Sequence, residues 1–384
     1  MIKSVLRKVA GPLARRSGRL MRFWVWAVSS WRLFRFVAWV LPTSQEGERR
    51  LLVVYDLSYQ PYSIGDIIHV QEAALALRET HGVGMIDFAM VYDHHNPSPV
   101  DEAYAGINRD NVHHYLSSLL PVLQVNSFLG SVMIFNSHAQ LEKYVADNES
   151  RYVVWPSAGK YASGIYLNYV IFNEVLYDYY QIHGSIPRLE CRPFLRDAAL
   201  DFFYHHVWPD IPVTVQMRNN PSYGTHRNAH IDSWIEFFNG CRNRYPVKFV
   251  VICALSEVDS RLRECSNVII AKDRYTNLEL ELAMIHESAL HMGSSSGMAT
   301  MAEFNDKPYL IVNTDINLER YKEMVRDDNF VRFFFASPFQ RFSFGQETSE
   351  LLAGQFERMM STIDTGEWWS PETIAKHKKQ NVLT

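Results

Sequence analysis

Apolar residues along this chain change period in a repeating way. Residues 51–55 (Leu-Leu-Val-Val-Tyr) form an unbroken apolar run of β type. Over 66–80 the spacing becomes helical, with Ile67, Val70, Ala74 and Leu77 on one face, and His81-Gly82 closes the segment. Residues 85–92 return to a strand-like run. Strand, helix, strand is one βαβ unit, and such a crossover implies parallel strands. Strand-like runs at 132–135 and 152–155, with a helix starting near His138 between them, predict that the sheet continues. A long helix is expected over 161–180, after which Pro187, Pro193, Pro209 and Pro212 punctuate a crossing into a second half.

The second half repeats the pattern. Strands are predicted at 213–217, 248–253, 268–271, 289–292 and 309–312, with helices at 230–244, 256–264, 277–288 and 298–305. Thr276-x-x-Glu279 reads as a capping box for the third of these helices. The fold class is therefore α/β, two successive Rossmann-like domains. The boundaries expected are 43–207 and 208–345, preceded by a segment 1–42 and followed by a C-terminal helix and tail, 346–384.

Charge separates the first segment from the rest. The 384 residues hold 38 Lys+Arg against 42 Asp+Glu, a net of −4. Residues 1–41 hold nine of the basic groups and no acid, leaving 29 basic against 42 acidic groups, net −13, for residues 42–384. A body that acidic argues against a nucleic-acid partner, which would require a basic footprint. Residues 23–41 are rich in Trp and Phe but include Arg32 and Arg35. Each Arg costs about 2.5–3.5 kcal/mol at mid-bilayer, so a helix lying in the headgroup layer is preferred to one that spans or one that docks onto a protein partner. Basic residues there would hold segment 1–42 on an anionic membrane surface. The four cysteines, 191, 241, 253 and 265, show neither a CxxC pair nor a Cys/His ligand spacing, so no metal site is expected, and Cys253 reads as a buried thiol.

Chemistry is expected beyond the carboxyl ends of the strands, where open α/β sheets bind ligands. Gly293-Ser294-Ser295-Ser296-Gly297, between a strand and a helix, offers close backbone approach, hydroxyl donors and a helix N-terminus to phosphate oxygens. A Ser-rich N-cap loop of no further meaning is the plain alternative. Arg218, at a strand end, and Arg227 on the same loop suit a diphosphate, or else a surface ion pair. Asp66 follows Ser63-Ile64-Gly65, where a carboxylate can serve as general base or simply favour a first helical turn. Asp93-His94-His95 ends a strand; neighbouring side chains of an extended chain point apart, so acceptor contact by Asp93 and His94 is a better functional reading than a shared metal, and a solvated loop is the plain alternative.

The turn Tyr62-Ser63-Ile64-Gly65-Asp66-Ile67-Ile68 and the unit running from Gly293 through Glu303 to Lys307-Pro308 resemble GT-B glycosyltransferases, most of all the bacterial heptosyltransferases of lipopolysaccharide assembly. The strand ending at Arg218 is similar to the donor domain of GT-B fucosyltransferases. The resemblance implies two Rossmann-like domains facing across a cleft, with Asp66 as catalytic base and Gly65 beside it. It also implies that Arg218, the 293–297 loop and a Lys-Pro turn bind the donor diphosphate. Ser295 stands where heptosyltransferases usually place Asp, and the basic N-terminal segment is additional. The activity implied is transfer of a sugar from a nucleoside-diphosphate donor to a membrane-associated glycan or glycolipid, inverting, with no cofactor, at the cytoplasmic face of the membrane. Glu279 and Glu287 have the spacing of a retaining enzyme's pair but lie on the preceding helix.

Two rival readings remain open. Gly293-x-Ser295-x-Gly297 matches the nucleophile elbow of α/β-hydrolases, although the one His after it is His377, in the tail. A non-catalytic, membrane-associated glycan-binding protein is the other.

Overall fold

A computed structural model of the chain describes residues 49–97, 104–157, 167–221, 224–316, 318–319, 321, 323–363 and 369. The basic segment 1–42, with the membrane role expected of it, and His377 lie outside the described residues. Among the described residues no helix is long and apolar enough to cross a membrane.

The first half contains β1 (Arg50–Asp56), α1 (Ile64–His81), β2 (Ile86–Val91), α2 (Val112–Leu123), β3 (Leu129–Phe135), α3 (His138–Asp147) and β4 (Tyr152–Trp155). Its four strands run parallel in the order β3-β2-β1-β4. β1 and β2 are buried along their whole length, as strands covered on both faces must be. α1 begins where the Ser63 side chain accepts from the Asp66 amide and ends at Gly82, whose φ of 61° suits a left-handed cap.

Two helical stretches lead across. α4 comprises Leu167–Val170, a π turn Ile171–Leu176 and Tyr177–His183, and α5 is Pro193–His206. The second half contains β5 (Ile211–Gln216), α6 (Ile231–Cys241), β6 (Val247–Ile252), β7 (Val268–Ile270), α7 (Leu278–Glu287), β8 (Leu290–Ser294), α8 (Thr300–Glu303), β9 (Tyr309–Val312), β10 (Val325–Asp327), β11 (Phe330–Arg332), β12 (Gln340–Ser343) and α9 (Ser349–Met360). The eight strands lie in the order β10-β11-β12-β9-β8-β5-β6-β7. Six of them, from β12 to β7, are parallel, and β10 and β11 extend the edge antiparallel.

Several expected elements are corrected. The helix expected over 298–305 shrinks to the four residues of α8, preceded by a turn. That over 256–264 is two 3-10 turns, broken at Asp259, whose side chain accepts from the Arg261 amide. Asn277 rather than Thr276 caps α7, taking the Leu280 amide at 3.0 Å. The Thr276 hydroxyl instead donates to Glu281, which also holds Lys272 at 2.8 Å.

One apolar core contains α1, α2 and the strands of the first half together with Ala299, Met301, Ala302, Phe304 and Ile311 of the second, so the two halves share an interior along α1. A separate core lies on the other face of the second sheet, under α6 and α9, built around Trp234, Phe237, Phe238, Phe249 and Phe356. All four cysteines are buried and free. Burial pushes the Cys253 thiol up to about 12, which makes it a poor nucleophile.

Candidate functional site

The site is built where the carboxyl edges of the two sheets confront each other. Asp66 stands in the first turn of α1, just past the carboxyl end of β1, and is half-buried. Asn168 of α4 donates to its Oδ1 at 3.3 Å. Gly65 and Gly297 touch backbone to backbone. A Cβ on Gly297 would stand 2.8 Å from the Gly65 nitrogen and 3.1 Å from the Ile64 Cβ. A Cβ on Gly65 would meet the Thr300 Oγ1 at 3.0 Å and the Gly297 Cα at 3.2 Å. Only glycine at both positions lets the two turns approach this closely.

Within the Ser-rich segment the roles divide. Gly293 and Ser294 are the last residues of β8, so the loop proper starts at Ser295. Gly293 lies against β5, where a Cβ would stand 2.3 Å from the Gln216 carbonyl oxygen. Ser294 is fully buried. The Ser295 amide donates to the Val312 carbonyl at 2.9 Å, and the Ser296 hydroxyl accepts from the Ala299 amide at 3.4 Å. With only four residues in α8, little helix dipole stands behind this loop. What it presents is the half-buried face of Ser295, Ser296 and Gly297.

Positive charge comes from the neighbouring strand. β5 and β8 are adjacent, with Gln216 paired to Gly293, so Arg218 leaves its strand end about 4.8 Å, one strand spacing, from the start of the Ser loop. Arg218 and Arg227 converge over Gly224: the place a Cβ would occupy there is 2.7 Å from Arg227 Nη2 and 3.1 Å from Arg218 Nη2. Gly224 has a φ of 57°, which suits its missing side chain. The carbonyl of Arg218 accepts from the Ala229 amide at 2.8 Å, closing the loop on itself. Arg227 also faces Asp315, beyond the end of β9, at 3.6 Å.

Four residues outside the expected set, His69, Glu303, Tyr321 and Asn168, complete the site. His69, one turn after Asp66 on α1, lies with Nε2 3.3 Å from Oε2 of Glu303 on α8. Tyr321 is half-buried where the charges of Glu303, Asp66 and Asp315 reach it, and desolvation first, then these acids, drives its hydroxyl far above the usual range. Asn168 is the fourth. A polar residue three positions after Asp66 on a helix shares its face, so His69 carried a usable signal. Glu303, Asn168 and Tyr321 carried none that spacing could reveal.

Other expected residues make contacts of their own. Asp93 accepts from the His95 amide at 2.8 Å, a local turn, and the His94 amide donates to Asn136. Both histidines are exposed on the carboxyl edge of the first sheet, and no described hydrogen bond ties them to the Asp66 turn. Lys307 turns away from the Ser loop, its Nζ donating to the His286 carbonyl at 2.7 Å, and burial lowers its ammonium to about 8. Among the described residues no imidazole bonds the Ser295 hydroxyl, and His377, the base the elbow reading would use, lies outside them. Nor, among them, do three His, Cys, Asp or Glu gather as a metal site.

No protein-family profile matches the chain, and no curated protein matches it in sequence. Solved structures similar to it include a glycosyl transferase family 9 protein from Veillonella parvula, at 12% identity and a TM-score of 0.46, covering 89% of this chain and 99% of that one. Another is the E. coli ADP-heptose LPS heptosyltransferase II, at 10% identity and 0.47, covering 82% and 99%. A third is the α-1,6-fucosyltransferase NodZ co-crystallized with GDP, at 12% and 0.29, covering 67% and 93%. Scores and identities of this size mark a likeness of outline, and the roles of particular side chains come from this chain's own geometry.

Proposed function

We propose that the protein is a glycosyltransferase, moving a sugar from a nucleoside-diphosphate donor on the second half to an acceptor hydroxyl on the first. The observation that carries this reading is the meeting of the Asp66 turn with the Ser loop, beside the paired guanidiniums of Arg218 and Arg227. A carboxylate stands on one sheet edge and cations on the other. Asp66 takes the proton of the acceptor hydroxyl as its oxygen bonds to the anomeric carbon. The bond from that carbon to the diphosphate oxygen breaks, and the charge developing there is met by Arg218, Arg227 and donors of the loop at 295–297. Base and leaving-group stabilisers on opposite sides of the reacting carbon suit a single in-line displacement, hence inversion, with guanidiniums supplying the positive charge and no cofactor required. The net −13 body and the nine basic residues of 1–41 favour a membrane-associated glycan or glycolipid as acceptor, with the basic segment on anionic lipid at the cytoplasmic face.

The test is a thermal-shift panel of GDP, ADP and UDP. At least one raises the melting temperature, and Arg218→Ala abolishes that shift while Asp66→Asn keeps it and loses transfer. A chain that ignores all three nucleotides and is labelled at Ser295 by a fluorophosphonate is a serine hydrolase instead.

A further inference from the structure

The helix that carries Asp66 and the short helix that follows the Ser loop are joined at a second point, beyond the glycine contact. His69 is three residues after Asp66, and Glu303 is three after Thr300, whose hydroxyl faces Gly65. The His69 Nε2 to Glu303 Oε2 contact of 3.3 Å crosses from one half to the other, with both side chains about nine-tenths buried. Phe172 meets the His69 ring edge-on at 4.9 Å and Phe304 does so at 5.6 Å, which fixes the plane in which Nε2 points. The other ring nitrogen, Nδ1, is buried with no partner among the described residues. Glu303 is therefore the polar group that holds this ring, and the carboxylate accepts from Nε2–H.

We propose that His69 and Glu303 are a positioning pair that sets how far Asp66 stands from the loop at 295–297. This rests on the reading of Asp66 as base and of the loop as diphosphate site. The glycine contact alone limits approach; it resists compression and does nothing to prevent separation. A hydrogen bond between the same two helices supplies the opposing restraint. The two together fix the gap in which an acceptor oxygen and an anomeric carbon must meet. A shift of about 1 Å in such a gap costs on the order of a hundredfold in rate even when every reacting group is present. The pair touches neither substrate, so its loss falls on the rate of the chemical step and spares nucleotide affinity.

The test uses the full chain and whichever nucleotide-sugar matches the nucleotide found in the thermal-shift panel. His69→Phe keeps the aromatic contacts and removes the hydrogen bond; Glu303→Leu removes the acceptor. Each lowers kcat at least tenfold, with the nucleotide Kd and the donor KM within twofold of the parent. The double variant is no worse than the poorer single one, as expected for two halves of one contact. Glu303→Gln, whose amide oxygen still accepts from Nε2, recovers most of the loss. An unchanged kcat in both single variants overturns the proposal, as does a loss confined to KM or a double variant whose losses multiply. Hydrogen exchange separates this outcome from failure of the glycosyltransferase reading. If the parent consumes no nucleotide-sugar, exchange in 63–69 and 296–303 still rises together in both single variants when the restraint exists. No rise in either segment refutes it regardless of activity.

Discussion

Replacing Gly297 by alanine tests whether the two halves are truly in contact at the site. The added Cβ would sit 2.8 Å from the backbone nitrogen of Gly65 and 3.1 Å from the Ile64 Cβ. Ordinary contacts for such atoms start near 3.4 Å, so the turns must part by about half an ångström. The nearest atom is backbone, at the start of an 18-residue helix buried in the shared core, and cannot swing aside. Overpacking of this kind costs about 1–3 kcal/mol. At about 2.1 cal/mol/K of unfolding entropy per residue, a 384-residue chain shifts ~1.2 °C per kcal/mol, so the melting midpoint falls by about 1–4 °C. Gly65→Ala is milder, because its nearest neighbour is the Thr300 hydroxyl at 3.0 Å, the end of a side chain that can turn. Gly354→Ala is the control. It lies exposed in the middle of α9 with nothing within 4 Å of the new Cβ, and alanine there gains about 0.5–1 kcal/mol in helix propensity. Thermal melts of the three variants should rank Gly297→Ala lowest, Gly65→Ala next and Gly354→Ala above the parent. A Gly297→Ala protein that melts with or above the parent would show that the halves do not meet there.

Two buried titratable groups give predictions of opposite sign with pH. Burial lowers the pKa of His291, held in β8 against the Thr214 hydroxyl at 3.0 Å, to about 3. Below its ordinary value near 6.5 the unfolded chain takes up a proton that the native chain refuses, so stability falls as pH drops towards 3, by about 2 kcal/mol at pH 5. Urea melts at pH 7 and pH 5 should show a smaller pH loss in His291→Gln than in the parent; equal losses refute the assignment. Glu72 of α1 is wholly buried, with no partner for either carboxyl oxygen among the described residues, and burial holds it protonated well above the usual range despite the opposing pull of Arg188. Here the unfolded chain gives up a proton that the native chain keeps, so stability falls as pH rises above the ordinary carboxylate range. Glu72→Gln should therefore exceed the parent in stability at pH 8, with the advantage shrinking towards pH 5; an advantage that grew on acidification would be the wrong sign.

The parallel strands were legible because each is an apolar run bounded by turn residues. The prediction at 152–155 coincides with β4, and that at 309–312 with β9. What escaped was short or exposed. All three residues of β10 face solvent, so no alternation marks it, and β10–β12 add to the sheet through pairing that composition does not encode. The π turn in α4 hid a different way, shifting the apolar register by a residue without interrupting the apolar pattern, so nothing along the chain announces it. The false helix over 256–264 shows the converse error. Its polar and apolar spacing suits a helix, but a side-chain bond from the Arg261 amide to Asp259 competes with the backbone ladder and wins.

The site divides along the same line between local and non-local information. Asp66, Arg218 and the Ser loop could be nominated because each stands in or beside a turn of unusual composition, which is a property of a few consecutive residues. That Gly65 meets Gly297 is a contact across 232 positions, and no local pattern contains it. Glu303 illustrates the consequence. At the end of its own four-residue helix it is an acid with no evident task, and it acquires a meaning only because His69 arrives opposite it. Lys307 is the reverse case: beside Pro308 it looked like a phosphate ligand, yet its ammonium is spent on the His286 carbonyl. A residue's type and its immediate neighbours thus nominate chemistry. Which nominations survive depends on whether a distant backbone leaves the side chain facing the cleft or gives it a partner first.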